Sequence, residues 1–519
     1  MTNTWVLRAT IGNGIDVNYQ DALGRTTLWY AVESGNTPIV QRLLGHGAKV
    51  ASNNSRCYIP YLQALLHGNV TIVERCLETA TNGRFGVDPD TLGIFLTRVA
   101  SNGLEKILKF LLENGKHPDT PDFKYGRTLI SWAASGGYEA VVNLLMLYGA
   151  NVNLKDKTGR SALWHVSSGG HVTVAKLLLE QGVSVDLEDN NGKTPLWQAS
   201  SGGYAALVAL LLKRGARADP KDHSERTALW QAASGGHEAV VDLLIRHKVR
   251  MDFRDNGLHR SPILMATWNG HRNVVQLLLK AGEDVDSKDM YQRSPFFWSA
   301  YFGNLEMARL LFNHGARIDL RDRYGQTPLL CSIQRGQESM CKFLLENGAD
   351  SNARNGDGWP PLWQAAMTGN EILIELLLRS KAKIALMVDG QTLLSHAAAK
   401  GDRRGAELLL TYGADADHMP SDYGRTPLSR AAGAGHVALV DLLLRHGASI
   451  DSMNIEHGRT LLWWAVDTSQ VEVVKILLEN GADQTLEDND GHTPLFRAAA
   501  KNWTPIVKML KEYQADPTS

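Results

Sequence analysis

Histidine, cysteine, arginine and tryptophan are the residues of this 519-residue chain whose types could do chemistry, and their spacing says which chemistry to expect. His171, His237, His271 and His436 each directly follow a glycine, and His46, His314 and His446 each directly precede one. A metal or general acid–base centre needs unlike side chains converging on one point, whereas a period supplies like residues in a row. These histidines are therefore read as capping and turn residues. The cysteines, Cys57, Cys76, Cys331 and Cys341, show no CxxC spacing. That leaves no zinc or dithiol pattern and points to reduced, buried thiols in the cytosol or nucleus. The sequence contains no GxxxxGK[ST], HExxH, GxSxG or kinase signature, and no GxGxxG placed after a strand. The expectation is a non-enzyme with no catalytic residue, no cofactor and no metal.

Charge offers recognition chemistry instead. Arg25, Arg127, Arg160, Arg226, Arg260, Arg293, Arg425 and Arg459, with Lys193 in the same series, each stand directly before a Thr-like residue. Such a ladder of cations could attract an acidic peptide, or each could be a solvated turn residue. Lys plus Arg number 54 and Asp plus Glu 55, a net charge of −1. This gives no basic excess for a polyanion, so nucleic acid is not an expected partner.

The elements that must position these residues are read from the stretch DNNGKTPLWQASSGGYAALVALLLKRGARA, residues 189–218. Thr194 and Pro195 open a short helix, since a threonine hydroxyl can accept from the second or third N–H and proline suits the first helical position. Leu196, Ala199 and Ser200 give it a small inner face, and Gly202-Gly203 ends it. A second helix begins at about Tyr204, with Leu207, Val208, Leu210, Leu211 and Leu212 at helical spacing and Gly215 as its stop. A unit this small encloses no core alone, so the next copy must cover its apolar side.

The unit recurs about every 33 residues. Its interhelix glycine is found at Gly35, Gly68, Gly103, Gly137, Gly170, Gly203, Gly236, Gly270, Gly303, Gly336, Gly369, Gly401 and Gly435, and Ser469 and Asn502 continue the column. Residues 1–20 read as an N-terminal half-repeat cap and 21–519 as a continuous array of about 15 repeats. Repeats at about 54–120 are degenerate. There Ile59-Pro60-Tyr61 and Ile94-Phe95-Leu96 replace Thr-Pro-Leu, and Asn82 to Gly93 adds a loop where a kink or hinge is expected. The last repeat, about 488–519, carries Lys501, Lys508, Lys511 and Glu512 and reads as a C-terminal cap. No apolar run approaches 18 residues and the N-terminus lacks a signal pattern, so a soluble, unexported chain without membrane insertion is expected.

A 33-residue period, a TPLxxAA opening, a GxxxxVVxLLLxxGA second helix and a polar hairpin together resemble the ankyrin repeat. The resemblance implies an all-α, curved solenoid of stacked helix-turn-helix units with short hairpin loops. Trp29, Trp164, Trp197, Trp230, Trp363 and Trp463, with Phe297 and Phe496, occupy the slot where that family most often carries a structural histidine. This implies packing between copies with each indole N–H satisfied locally. Ankyrin arrays generally bind proteins through hairpin tips and the end of the first helix, which line the concave side. In the fourth to seventh units the helix-end pair is Ser135-Gly136, Ser168-Gly169, Ser201-Gly202 and Ser234-Gly235, which offer little. Later units place Trp268, Asn269, Met290, Tyr291, Arg293, Tyr301, Phe302, Arg323, Tyr324 and Arg335 there, the composition enriched at binding hot spots. The expected function is a monomeric protein-interaction scaffold or adaptor, binding protein partners on its concave face, in the cytoplasm or nucleus. A composite of its repeats, GRTPLWQAASGGHEAVVDLLLRHGA, is similar to long arrays of filamentous fungi. That similarity implies, as alternatives, an accessory protein of a secondary-metabolite (toxin) pathway, or a recognition arm or spacer related to NACHT-type receptor arrays.

Overall fold

The computed structural model of the chain describes residues 16–21, 24–50, 64, 70–79, 89–418, 425–453 and 457–515. These residues form 29 helices, all in pairs but Val70–Thr79, and no strand; isolated bridges at Gln20–Thr26, Pro121–Thr128 and Val388–Gln391 are the extended pairings among them. The half-repeat expected over 1–20 and the departures at Ile59-Pro60-Tyr61 lie largely outside the described residues. The described chain forms two compact units, Met1–Glu283 and Asp284–Ser519.

The reference repeat shows why these residues fold as they do. The Thr194 hydroxyl accepts from Trp197 N at 3.2 Å, Pro195 occupies the first turn, and the helix runs Pro195–Ser201. Leu196, Ala199 and Ser200 are fully buried. Tyr204 precedes the second helix, Ala205–Lys213, whose Leu207, Val208 and Leu211 are fully buried while Leu210 and Leu212 are half-buried. Thr26, Ser161, Thr227, Ser294, Thr327, Thr392, Thr426, Thr460 and Thr493 cap their helices in the same way. One helix differs from expectation. Residues 89–93 are not loop but the start of Pro89–Ser101, because Pro89 pre-sets the first-turn backbone and extends that helix to 13 residues.

The interhelix column does two jobs at one atom. Gly170 and Gly203 have φ of +74° and +73°, a backbone that L side chains adopt at a cost of about 1–2 kcal/mol. Ser469 and Asn502 adopt it too, at φ 58° and 57°. A Cβ on Gly203 would also fall 2.5 Å from His237 Nδ1, and one on Gly170 2.5 Å from Tyr204 Cδ1. A His or Tyr ring of the following repeat thus lies against Gly103, Gly137, Gly170, Gly203, Gly236 and Gly401, and a glutamine against Gly303 and Gly435. From there His171, His237 and His271 donate from Nε2 to the carbonyls of Ser135, Ser201 and Ser234 at 3.0, 3.0 and 3.1 Å. These are last-turn carbonyls with no intrahelical donor. The histidines after the glycine are therefore ties between repeats, not local turn residues. His46 and His314 do cap their own helices, donating from Nδ1 to Arg42 O and Leu310 O.

Loss of the Thr194 hydroxyl costs about 1 kcal/mol, so Thr194→Ala lowers the urea midpoint modestly. Gly203→Ala must both hold a left-handed backbone and displace His237, and it lowers the midpoint further. An equal or smaller shift for Gly203→Ala contradicts this packing.

Candidate functional site

Most described hairpins are closed by an aspartate, and one by Asn355, whose Oδ1 accepts from Asp357 N and Trp359 N. Asp189 Oδ1 accepts from Asn191 N and Lys193 N at 2.8 and 2.9 Å, and Asp156, Asp222, Asp289, Asp322 and Asp488 repeat the pattern. The second oxygen draws in a cation. Arg25 meets Asp21 at 2.9 Å, Arg226 meets Asp222 at 2.8 Å, and Arg160, Arg293 and Arg459 reach Asp189, Asp322 and Asp488 of the next hairpin at 3.8, 3.2 and 3.6 Å. The same guanidinium lies over a ring: Arg160 over Trp164 at 4.3 Å, Arg25 over Trp29 at 5.1 Å and Arg459 over Trp463 at 4.0 Å, with Lys193 over Trp197 at 4.4 Å. Such contacts are worth about 0.5–2 kcal/mol each. These arginines of the series are neither a free ladder for an acidic peptide nor solvated turn residues, because each is held between a hairpin carboxylate and an indole.

The tryptophan column is buried, from 2 to 6 % exposed, as packing between copies requires. Its N–H groups depart from expectation. Trp230 and Trp363 donate to Arg260 O and Leu386 O, both at 2.9 Å, but Trp29, Trp164, Trp197 and Trp463 have no protein acceptor.

The expected recognition residues divide between the units. In the first, Trp268 is half-buried beneath Arg260 at 4.3 Å, and Asn269 donates from Nδ2 to Ser234 O at 2.8 Å. In the second, a residue that the sequence reading passed over organises the rest. Trp298, 4 % exposed, donates from Nε1 to Asp289 Oδ2 at 3.1 Å and packs against Tyr301 at 5.2 Å and Phe302 at 6.0 Å. The signal was present, since positions i, i+3 and i+4 of a helix share a face. Tyr291 and Tyr324, on successive hairpins, stack with centroids 6.4 Å apart, and Arg323 N donates to Tyr291 O at 2.8 Å. Arg335 lies over Tyr301 at 4.4 Å, and Met290, Phe302 and Tyr324 are 39, 45 and 55 % exposed. Arg293 is not available to a ligand: it is half-buried, paired with Asp322 and placed over Tyr291, Phe297 and Trp298.

The family models described as "Ankyrin repeats (3 copies)" and "Ankyrin repeat" match this chain, the former over 62–156, 130–222, 201–289, 288–355, 351–420, 414–488 and 450–519, the latter over 23–55. The chain belongs to the ankyrin-repeat family. It is similar to the ankyrin repeat protein nuc-2 of Neurospora crassa, 30% identical over 159 residues covering 30% of this chain and 14% of that protein. It is also similar to the mouse B-cell lymphoma 3 protein homolog, 29% identical over 28% of this chain and 33% of that one. The putative ankyrin repeat protein YahD of Escherichia coli is 27% identical over 30% of this chain and 78% of its own length. The chain thus covers 14% and 33% of the first two relatives. No described helix is long and apolar enough to cross a membrane.

Within this ankyrin fold, polar clusters that look chemical are explained by the hairpins. Asp488, Asp490 and His492 bring three ligand-type atoms within 4.8 Å, but Asp488 Oδ1 already accepts from the N–H groups of Asp490 and His492. Cys76, Cys331 and Cys341 are buried free thiols, pushed by burial up to about 12, 12 and 11, far from a nucleophile's range; Cys57 lies outside the described residues. His165 Nε2 donates to Asp156 Oδ2 at 3.0 Å, the role that the indoles of Trp132 and Trp298 play toward Asp122 and Asp289.

Burial, then the Arg127 charge, lower His165 to about 4 from 6.5, so the folded state holds it neutral. Between those values the unfolded chain binds the proton and the folded chain does not. Stability therefore falls as pH drops from about 6.5 to about 4, by up to about 3 kcal/mol from this group. His165→Gln, which places there the residue found at Gln198 and Gln231, flattens that part of the pH profile of the urea midpoint; identical profiles contradict the assignment.

Proposed function

We propose that this chain is a non-enzymatic protein-interaction scaffold that docks a partner protein on a surface of residues 284–519 centred on Tyr301 and Phe302, with Tyr291, Tyr324, Met290 and Arg335 around them. The observation that carries it is a contrast between equivalent positions. Where the fourth to seventh repeats end their first helix with Ser-Gly, this repeat ends with Tyr301-Phe302, and Phe302 stays 45 % exposed above a buried Trp298. Rings supported from below and open above are suited to be anchors, since the ordering cost of binding is already met. A spacer element has no use for them. Membership in the ankyrin family supports a protein as the partner, and three buried free thiols support a reducing compartment. His165 and Asp156 are engaged with each other in a hairpin and Cys331 and Cys341 are sealed, which supports the reading that no reaction is catalysed at them.

The test separates the exposed rings from their support. The combined variant Tyr301→Ala, Phe302→Ala and Tyr324→Ala keeps its urea midpoint near the wild type. It loses the partner that wild type captures from native cells by at least about thirtyfold in affinity, the scale of one hot spot. Trp298→Ala lowers the midpoint instead, by about 3–5 kcal/mol in stability. Unchanged capture by the triple variant contradicts the proposal.

A further inference from the structure

The surface around Tyr301 and Phe302 carries a charge as well as rings. The hairpin and first-helix segments that build it, residues 289–303 and 321–336, hold four arginines and two aspartates. Both carboxylates are sealed, Asp289 at 2 % and Asp322 at 6 % exposure. Asp289 accepts from Tyr291 N and Arg293 N with one oxygen and from Trp298 Nε1 with the other. Asp322 accepts from Tyr324 N and Gln326 N and holds Arg293 at 3.2 Å. The carboxylates thus face inward, while Arg321, Arg323 and Arg335 are exposed.

Equivalent positions tell which of these cations are spent on packing. Arg321 donates from Nη1 to the carbonyls of Gly325 and Arg354, so it ties hairpins together. Arg323 occupies the place of Lys157, Asn190 and Asn256, whose side chains donate to carbonyls of the preceding hairpin, Phe123 O at 2.7 Å, Lys157 O at 3.1 Å and His223 O at 3.2 Å. The Arg323 guanidinium makes no such bond among the described residues; its backbone N–H makes the link to Tyr291 O instead. Arg335 lies over the Tyr301 ring at 4.4 Å, a contact with the ring face that leaves its N–H donors unspent. Both arginines lie inside the stretch 89–418, which is described without a break, and no described carboxylate is within ion-pairing distance of either. Glu338 accepts from Asn370 Nδ2 at 3.1 Å, and Asp357, exposed on the next hairpin, pairs with neither arginine.

We propose, resting on the reading of this surface as the docking site, that its partner is an extended acidic peptide segment, whose carboxylates meet Arg323 and Arg335 while a neighbouring apolar side chain packs on Tyr301 and Phe302. A guanidinium is a planar fork of donors matched to a carboxylate and is weakly hydrated, so it gives up water readily at an interface. Complementary charge also speeds encounter and rejects basic segments. Single-stranded RNA, which stacked tyrosines and arginines would also receive, is disfavoured by a net charge of −1, which supplies no general positive field for a phosphate backbone.

Two fluorescein-labelled peptides, Gly-Asp-Leu-Glu-Phe-Asp-Gly and its uncharged counterpart Gly-Asn-Leu-Gln-Phe-Asn-Gly, are titrated by anisotropy against the full chain. The acidic peptide is expected to bind saturably and about tenfold or more tightly than the uncharged one, the gap narrowing as salt is raised. Arg323→Gln with Arg335→Gln closes the gap by weakening the acidic peptide alone. Arg323→Gln by itself, a change at an exposed side chain, closes part of it even if the double variant does not fold. The combined variant Tyr301→Ala, Phe302→Ala and Tyr324→Ala weakens both peptides. Equal affinity for the two peptides, lost in that ring variant, overturns the acidic partner and keeps the docking surface. Acidic binding that depends on the arginines but not on the rings overturns its placement here. The proposal is also overturned by no saturable binding of the acidic peptide, by an affinity that the arginine variants leave unmoved, or by a fluorescein-labelled oligouridylate bound more tightly than the acidic peptide.

Discussion

No described repeat closes its own core; within each compact unit a neighbouring repeat covers it, and at most of the described junctions the contact includes the glycine between the two helices. That residue turns left-handed and presents no Cβ, so a histidine, tyrosine or glutamine of the next repeat can lie on it. The same side chain then satisfies a carbonyl that the preceding helix leaves without a donor, as His237 does for Ser201 and Gln337 for Tyr301. Sterics, backbone conformation and hydrogen-bond satisfaction therefore agree at one position, the local and global consistency that makes a repeat stack a single answer.

The hairpins apply the same economy to charge. At Asp189 one oxygen closes the turn, and the other holds Arg160 over Trp164. Large buried rings and near-neutral net charge follow from this, because the cations are matched by carboxylates one turn or one hairpin away. What remains free for recognition is set by subtraction. A ring that stays exposed, such as Phe302, is conspicuous only once the internal pairings are known.

This explains which features could be read from sequence. The helix pairs, their Thr-Pro starts and the interhelix column were legible because each is decided within a few residues, down to Ser469 and Asn502 adopting the glycine's backbone. The fate of the arginines was not legible. The carboxylate that holds Arg293 lies 29 residues away in the next hairpin, and its proximity exists only after stacking. Trp298 was hidden for another reason: Pro295–Phe302 reads PFFWSAYF, aromatic or small on every side, so composition could not show which ring faces in. The histidines that tie repeats together looked like turn residues because their acceptors are some 36 residues back. In the candidate surface, Phe302 and Tyr324 are exposed and stand out by comparison of equivalent positions, while the Arg293–Asp322 pair is invisible until the hairpins stack.

The central claim is that recognition uses the side chains that repeat packing leaves over, and hydrogen exchange of the chain with and without its purified partner tests it most directly. The account predicts new protection in the backbone of residues 289–293, 300–303 and 322–326. Protection confined to the second helices, or to the arginine–tryptophan hairpins of residues 120–230, would contradict it.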